Sequence, residues 1–242
     1  MRSVYVAAAL YLEHVLQSLR ALAASLTPDS THYIPNCLAR AAMEAGSQAF
    51  WLLEPGIGAR RRVARFMLIR ASGARHRAKQ VKLTDPGAAG SYGETPEQAA
   101  ALAEGLGLRC EYRAQGHYRG EWWCEDQRLP GYTERNRMLE DAMFTAAAYS
   151  IYSGAIHAEW NAVIDNWESV TLEDGTMAMV SCPDRVAVWG AVLVAAAPGV
   201  VPATRALRLL GHHARLTEVD TWASGSLDLM RRTDLPPGLW RS

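Results

Sequence analysis

Tyr149-Ser-Ile-Tyr-Ser-Gly-Ala-Ile-His-Ala-Glu-Trp160, within residues 143–167, decides how the chain is read. Its spacing predicts a helix with Tyr149, Ser153 and His157 at i, i+4 and i+8 on one face. Ala146, Ala147, Ala148, Gly154 and Ala155 keep that helix thin, so neighbours can approach on several sides. It is therefore expected to be the central helix of an all-α protein. A His and a Ser on its inner face either complete a buried polar knot or line a site.

Working outward, residues 36–53 predict a second core helix, closed by Glu54-Pro55-Gly56. Arg40 and Glu44 stand at i, i+4 and can pair within it, while Ala39, Met43, Phe50 and Trp51 argue that the surrounding face is buried. Residues 3–26 predict helix 1, with a stripe of Val6, Leu10, Leu16, Leu19 and Leu22 and with His14 at its rim as a hydrogen-bonded histidine.

The third helix, residues 59–81, is the most biased segment. Arg60, Arg61, Arg62, Arg65, Arg70, Arg75, Arg77, Lys79 and Lys82 occur with no acidic residue between Glu54 and Asp85. Val63, Phe66, Met67 and Ile69 offer it an apolar stripe. Two readings are open: a solvated face balanced by Glu94, Glu97 and Glu104, or a phosphate-contacting face made by Arg61, Arg62, Arg65, Arg70, Arg75 and Lys79.

Thr95-Pro96-Glu97 predicts the cap of a short helix ending near Leu106. An irregular insert follows near residues 109–130, with a small hairpin conceivable around Gln115-Gly116. Its Cys110, His117, Glu121 and Cys124 match no zinc spacing. Thr133 is expected to cap a helix after Pro130-Gly131. Asp174-Gly175 predicts a β-hairpin over residues 170–180. A buried Ala/Val helix is then expected to end at Pro198, with further helical regions at 203–211 and 216–230. The absence of repeats and linkers suggests one helical-bundle domain, residues 1–235, and a tail of 236–242.

Composition limits the function. Hydrophobic residues make up 49% and the formal net charge is zero, so a core is available and no global field draws the chain onto nucleic acid or membrane. The four cysteines, Cys37, Cys110, Cys124 and Cys182, show no pairing pattern and are read as free thiols in a reducing compartment. Residues 1–12 are too short for a secretory core, and residues 186–204 are too weakly apolar and too broken by proline to span a membrane. A cytoplasmic location is expected. Walker, dinucleotide, nucleophile-elbow, zincin and calcium-loop motifs are absent, and His212-His213 has no third ligand nearby. Neither a cofactor nor a metal is expected.

The chemistry therefore falls to Arg40, Glu44, Tyr149, Ser153 and His157 as a ligand-binding cluster. If the protein is an enzyme, His157, Glu44 and Arg40 are the catalytic candidates. A carboxylate beside an imidazole orients it or holds it charged.

Leu38-Ala-Arg-Ala-Ala-Met-Glu-Ala-Gly-Ser-Gln-Ala-Phe-Trp-Leu-Leu-Glu-Pro55, the Arg-rich helix, Pro130-Gly-Tyr-Thr133 and Tyr149 to His157 together resemble uncharacterised actinobacterial helical proteins. More remotely they are similar to the DUF5677-type and HEPN-like families. The resemblance spans residues 3–210 and implies a helical bundle acting as a homodimer. HEPN ribonucleases place an Arg before the catalytic His with four to six residues between them. His157 departs from this, its nearest upstream arginine being Arg137, whereas Arg70/His76 and Arg205/His212 have the spacing. The expectation is an interaction or ligand-binding module with a protein partner; the alternative is a HEPN-like RNA-binding protein or metal-independent ribonuclease.

Overall fold

The computed structural model describes residues 1–25, 33–84, 93–113, 115, 121–143, 167–181, 185–213, 215–219 and 221, with backbone only at 33, 143, 167–170, 178–181, 185–195 and 197. The expected central helix thus lies, between residues 144 and 166, outside the described residues, and Tyr149, Ser153 and His157 with it. The described chain is predominantly helical. Its elements are α1 (Arg2–Ser25), α2 (Tyr33–Leu52), α3 (Ala59–Thr84), α4 (Pro96–Gly105), β1 (Cys110–Arg113), β2 (Glu121–Cys124), β3 (Gln127–Arg128), α5 (Tyr132–Met143), β4 (Trp167–Thr171), β5 (Met177–Ser181) and α6 (Arg185–Leu209). Two compact units are formed, one from Met1–Ala7 with Glu54–Gly131, the other from Ala8–Leu53 with Tyr132–Ser242.

In the first unit α3 packs on α4, and a three-stranded antiparallel sheet in the order β1-β2-β3 packs on α3. The described parts of the stretch read as an irregular insert form strands, and β1 and β2 pair on either side of Gln115-Gly116, where the sequence makes a hairpin conceivable: Cys110 faces Cys124 and Arg113 faces Glu121 across β1 and β2, and Trp123 faces Arg128 across β2 and β3. The β2–β3 connection is a two-residue turn, with Glu125 at φ 51 and Asp126 at φ 60. Two successive positive φ values are the mark of a type I′ hairpin, whose twist suits paired strands. Glu-Asp is an unusual sequence for it, which is why this hairpin was not legible. At α4 the expected cap forms, with Thr95 Oγ1 accepting from Gln98 N at 3.2 Å and Thr95 N donating to Gln98 Oε1 at 2.9 Å.

The second unit is built on α2. Val15, Leu22, Ala39, Ala42, Met43 and Ala45 form a buried cluster, with Tyr11, Leu19 and Leu38 against it. The buried face of α1 is Val4, Ala8, Val15, Ser18 and Leu22, whereas Val6, Leu10, Leu16 and His14 are exposed. Of the expected stripe, Leu22 is in the core and Leu19 packs against it, while Val6, Leu10 and Leu16 face outward. The helix meets the core through Val15 and Leu22, with Tyr11 and Leu19 packed against the same cluster.

A larger correction concerns α6. It does not stop at Pro198 but continues through Pro198 and Pro202 as one helix. Proline lacks the amide proton for its i−4 carbonyl, so Pro202 leaves the Pro198 carbonyl without its helical donor. That carbonyl lies against Gly46 of α2, where an added Cβ would come within 2.6 Å of Pro198 O and 2.4 Å of Pro198 Cβ. The close crossing of α2 and α6 supplies the packing that offsets the lost helical bonds. β4 and β5 form the expected hairpin, with Thr171 opposite Met177 and Gly175 at φ 82 in the turn. The helix after Pro130-Gly131 starts at Tyr132, so Thr133 falls inside its first turn rather than at the cap. No described helix is long and apolar enough to cross a membrane.

Candidate functional site

Each unit carries one concentration of polar chemistry. In the first, α3 divides its basic residues by position. Those of the N-terminal half are engaged. Arg60 bonds Glu125 through Nε and Nη2, both at 2.9 Å, and donates to the Gly107 carbonyl. Arg62, only 3% exposed, donates through Nη2 to the carbonyls of Glu54 at 3.0 Å and Ile57 at 3.2 Å. Arg65, 8% exposed, meets Glu54 Oε2 at 2.5 Å through Nη1 and Gln127 Oε1 at 2.8 Å through Nε. Burial pulls its guanidinium below the ordinary arginine value, opposed by the Glu54 hydrogen bond. Arg70 pairs with Glu94 at 2.5 Å.

Arg62 and Arg65 therefore do not belong to an exposed phosphate-binding face. They anchor the segment after α2 and the β3 strand to α3. Arg61 is exposed, and its carbonyl accepts from Gln127 Nε2 at 3.3 Å.

Beyond Ala74 the helix surface changes. Arg75, His76, Arg77, Lys79 and Lys82 are all exposed. Arg75, Lys79 and Lys82 stand at i, i+4 and i+7, one helical face, and line a cleft of about 450 Å³ whose other wall is Glu94, Thr95, Pro96 and Glu97. Of the two carboxylates in that wall, Glu94 is held by Arg70 and Glu97 lies in the first turn of α4, where the helix dipole favours it. The cleft thus sets three basic side chains against two carboxylates, next to an α4 N-terminus closed by the Thr95–Gln98 capping box.

In the second unit, Arg40 Nε meets Glu44 Oε1 at 2.8 Å, the side chains 14% and 30% exposed. The expected intrahelical pair is present, and it is half-buried. Opposite it on α5, Arg135, Asn136, Leu139 and Glu140 are buried. Asn136 donates from Nδ2 to the Tyr132 carbonyl at 2.8 Å, and its buried Oδ1 has no hydrogen-bond partner among the described residues. The Arg135 guanidinium sits 4.6 Å from the Tyr132 ring centroid. Burial lowers its pKa, while Tyr132, Tyr11 and Glu44 act to raise it. Burial likewise pushes the Tyr11 phenol up, with Arg135 opposing.

Arg135, Asn136 and Glu140 escaped the sequence reading because a polar helix face looks solvated. The available signal was Leu139 set among them at i, i+1, i+4 and i+5, an inward-facing stripe. Tyr149, Ser153 and His157 lie outside the described residues.

The two arginine–histidine spacings noted in the sequence have their arginines committed elsewhere. Arg70 holds Glu94, and Arg205 donates to the Phe50 carbonyl at 3.0 Å with its guanidinium 3.5 Å from the Phe50 ring centroid. His117 is outside the described residues, and these contain no group of three or more metal-ligating side chains. Comparison with known proteins finds no matching family model, no matching curated protein and no matching solved structure.

Proposed function

We propose that the protein is a helical binding module for a phosphate-rich ligand, RNA being the class it fits. The observation that carries this is the placement of charge along α3: Arg75, Lys79 and Lys82 share one exposed face on a cleft, while Arg62 and Arg65, towards the start of the helix, are buried. A phosphodiester backbone gains affinity from each such cation by releasing condensed counterions. Three contacts to a single strand give a slope of log K against log salt of about −2. Fluorescence anisotropy of a single-stranded RNA oligomer across a salt series tests this, with Lys79→Glu and Lys82→Glu expected to weaken binding and flatten the slope. Salt-insensitive binding, or none at low salt, overturns it. Cleavage abolished by His76→Ala would instead make the protein a ribonuclease.

A second reading concerns the half-buried pair of Arg40 and Glu44 beside the buried Arg135. Paired charges in a half-desolvated setting, Arg40 with Glu44 and Arg135 near Glu140, suit a small polar ligand, and Tyr149, Ser153 and His157 are proposed from the sequence as its further contacts. A double-mutant cycle between Glu44→Gln and His157→Leu gives a coupling above roughly 0.5 kcal/mol if they share one network, and additive effects if they do not. A helical bundle acting as a homodimer, which the sequence resemblance implies, and a cytoplasmic location are the finer parts of this proposal. Sedimentation velocity at micromolar concentration reports the dimer directly.

A further inference from the structure

Cys110 and Cys124 lie directly opposite each other on β1 and β2, their Sγ atoms 2.6 Å apart. The Glu125 amide donates to the Arg109 carbonyl at 2.9 Å, which makes residues 109 and 125 a hydrogen-bonded pair. The next pair along, 110 and 124, is then a non-hydrogen-bonded one, in which Cα atoms stand about 4.5 Å apart and side chains are closest. That separation falls within the range a disulfide spans, about 4.4–6.8 Å. No backbone movement is needed to join the two sulfurs.

We infer that Cys110 and Cys124 are a reversible dithiol–disulfide couple, closed by exchange with a small-molecule disulfide such as oxidised glutathione. Cys124 is 1% exposed and Cys110 is half-buried, which sets the order of events. The Cys110 thiolate attacks one sulfur of the glutathione disulfide, forming a mixed disulfide and releasing one glutathione thiolate. The Cys124 thiolate then attacks Cys110 Sγ, forming the cross-strand bond and releasing the second. Two cysteine protons pass to the two released thiolates, the protein is oxidised by two electrons, and one glutathione disulfide is reduced to two thiols.

Burial pushes both thiols above the ordinary cysteine value, which slows the first attack. The second is intramolecular, between sulfurs already in contact. Closure ties β1 to the end of β2, immediately before the Glu125–Asp126 turn that Arg60 grips. The sheet on α3 becomes covalently fixed.

The test is to treat the purified full-length protein with oxidised glutathione, alkylate remaining thiols, and map peptides by mass spectrometry without reduction. The expected result is one intramolecular link, Cys110 to Cys124, with Cys37 and Cys182 alkylated, reversed by dithiothreitol and accompanied by a melting temperature raised by several degrees. Cys110→Ser should leave no intramolecular link. Full alkylation of both residues after treatment, stable glutathionylation of Cys110 in the wild type, or a link through Cys37 or Cys182 would each overturn the inference.

Discussion

Arg60 holds Glu125 with two parallel hydrogen bonds of 2.9 Å, and Glu125 sits at φ 51 in a turn that most side chains avoid. A guanidinium fork on a carboxylate is directional as well as attractive, so the pair fixes where the turn's first residue points. The Arg109 amide adds a third donor at 2.7 Å to Oε1. A tight β-turn is thereby fastened to the first turn of α3 from outside its own backbone.

The Glu125 carboxyl is depressed from 4.5 to about 2, chiefly by the Arg60 hydrogen bonds and then by the Arg109 amide. Because the folded value lies below the unfolded one, its contribution to stability is complete above about 4.5 and is lost as pH falls towards about 2. Melting temperature followed from pH 6 down to roughly pH 2 should therefore fall more steeply for the wild type than for Glu125→Gln. Parallel curves would show that the clamp does not contribute.

Asp126, at φ 60, occupies the left-handed region where an L side chain costs roughly 1 kcal/mol. Its ion pair with Arg109 is exposed on both sides and offsets little of this. Asp126→Gly is expected to raise stability by up to about 1 kcal/mol in urea unfolding. A loss of that size would mean the carboxylate matters more than the backbone.

Gly46→Ala is expected to be costly. Alanine favours a helix, but here its methyl would meet the Pro198 backbone oxygen at 2.6 Å, with no side chain able to move aside. Overpacking of this kind costs roughly 1–3 kcal/mol, outweighing the gain of about 1 kcal/mol in helix propensity. Circular-dichroism melts of the two proteins check it; an unchanged or higher midpoint would contradict the close crossing of α2 and α6.

These elements also show what could be read from the sequence alone. The 3.6-residue periods gave the helical class, Asp174-Gly175 gave the β4–β5 hairpin, Thr95-Pro96 gave the start of α4, and Arg40 with Glu44 gave a true pair. What escaped depended on partners distant in the chain. Pro198 reads as a helix stop because its compensation, Gly46, is on another helix. Cys110 and Cys124 show no motif because their pairing follows from strand register. Arg62 and Arg65 read as surface cations because their acceptors, the carbonyls of Glu54 and Ile57 and the side chains of Glu54 and Gln127, give no local signal.

The division of α3 into anchoring and exposed cations predicts different phenotypes for similar charge reversals. Arg65→Glu removes the buried partner of the Glu54 ion pair and places a second carboxylate beside Glu54, for an expected loss of roughly 2–3 kcal/mol in stability. Lys79→Glu, on the exposed face, should leave urea unfolding within about 0.5 kcal/mol of the wild type. If both variants were equally destabilised, the division would be wrong.

The most direct test is the affinity of the intact protein for single-stranded RNA at low and moderate salt, beside Lys79→Glu/Lys82→Glu in the same background. Binding that weakens with a salt slope of about −2 in the wild type, and is lost in a variant of unchanged stability, is the predicted result. Equal affinity for the two proteins, or no binding by either at low salt, would contradict it.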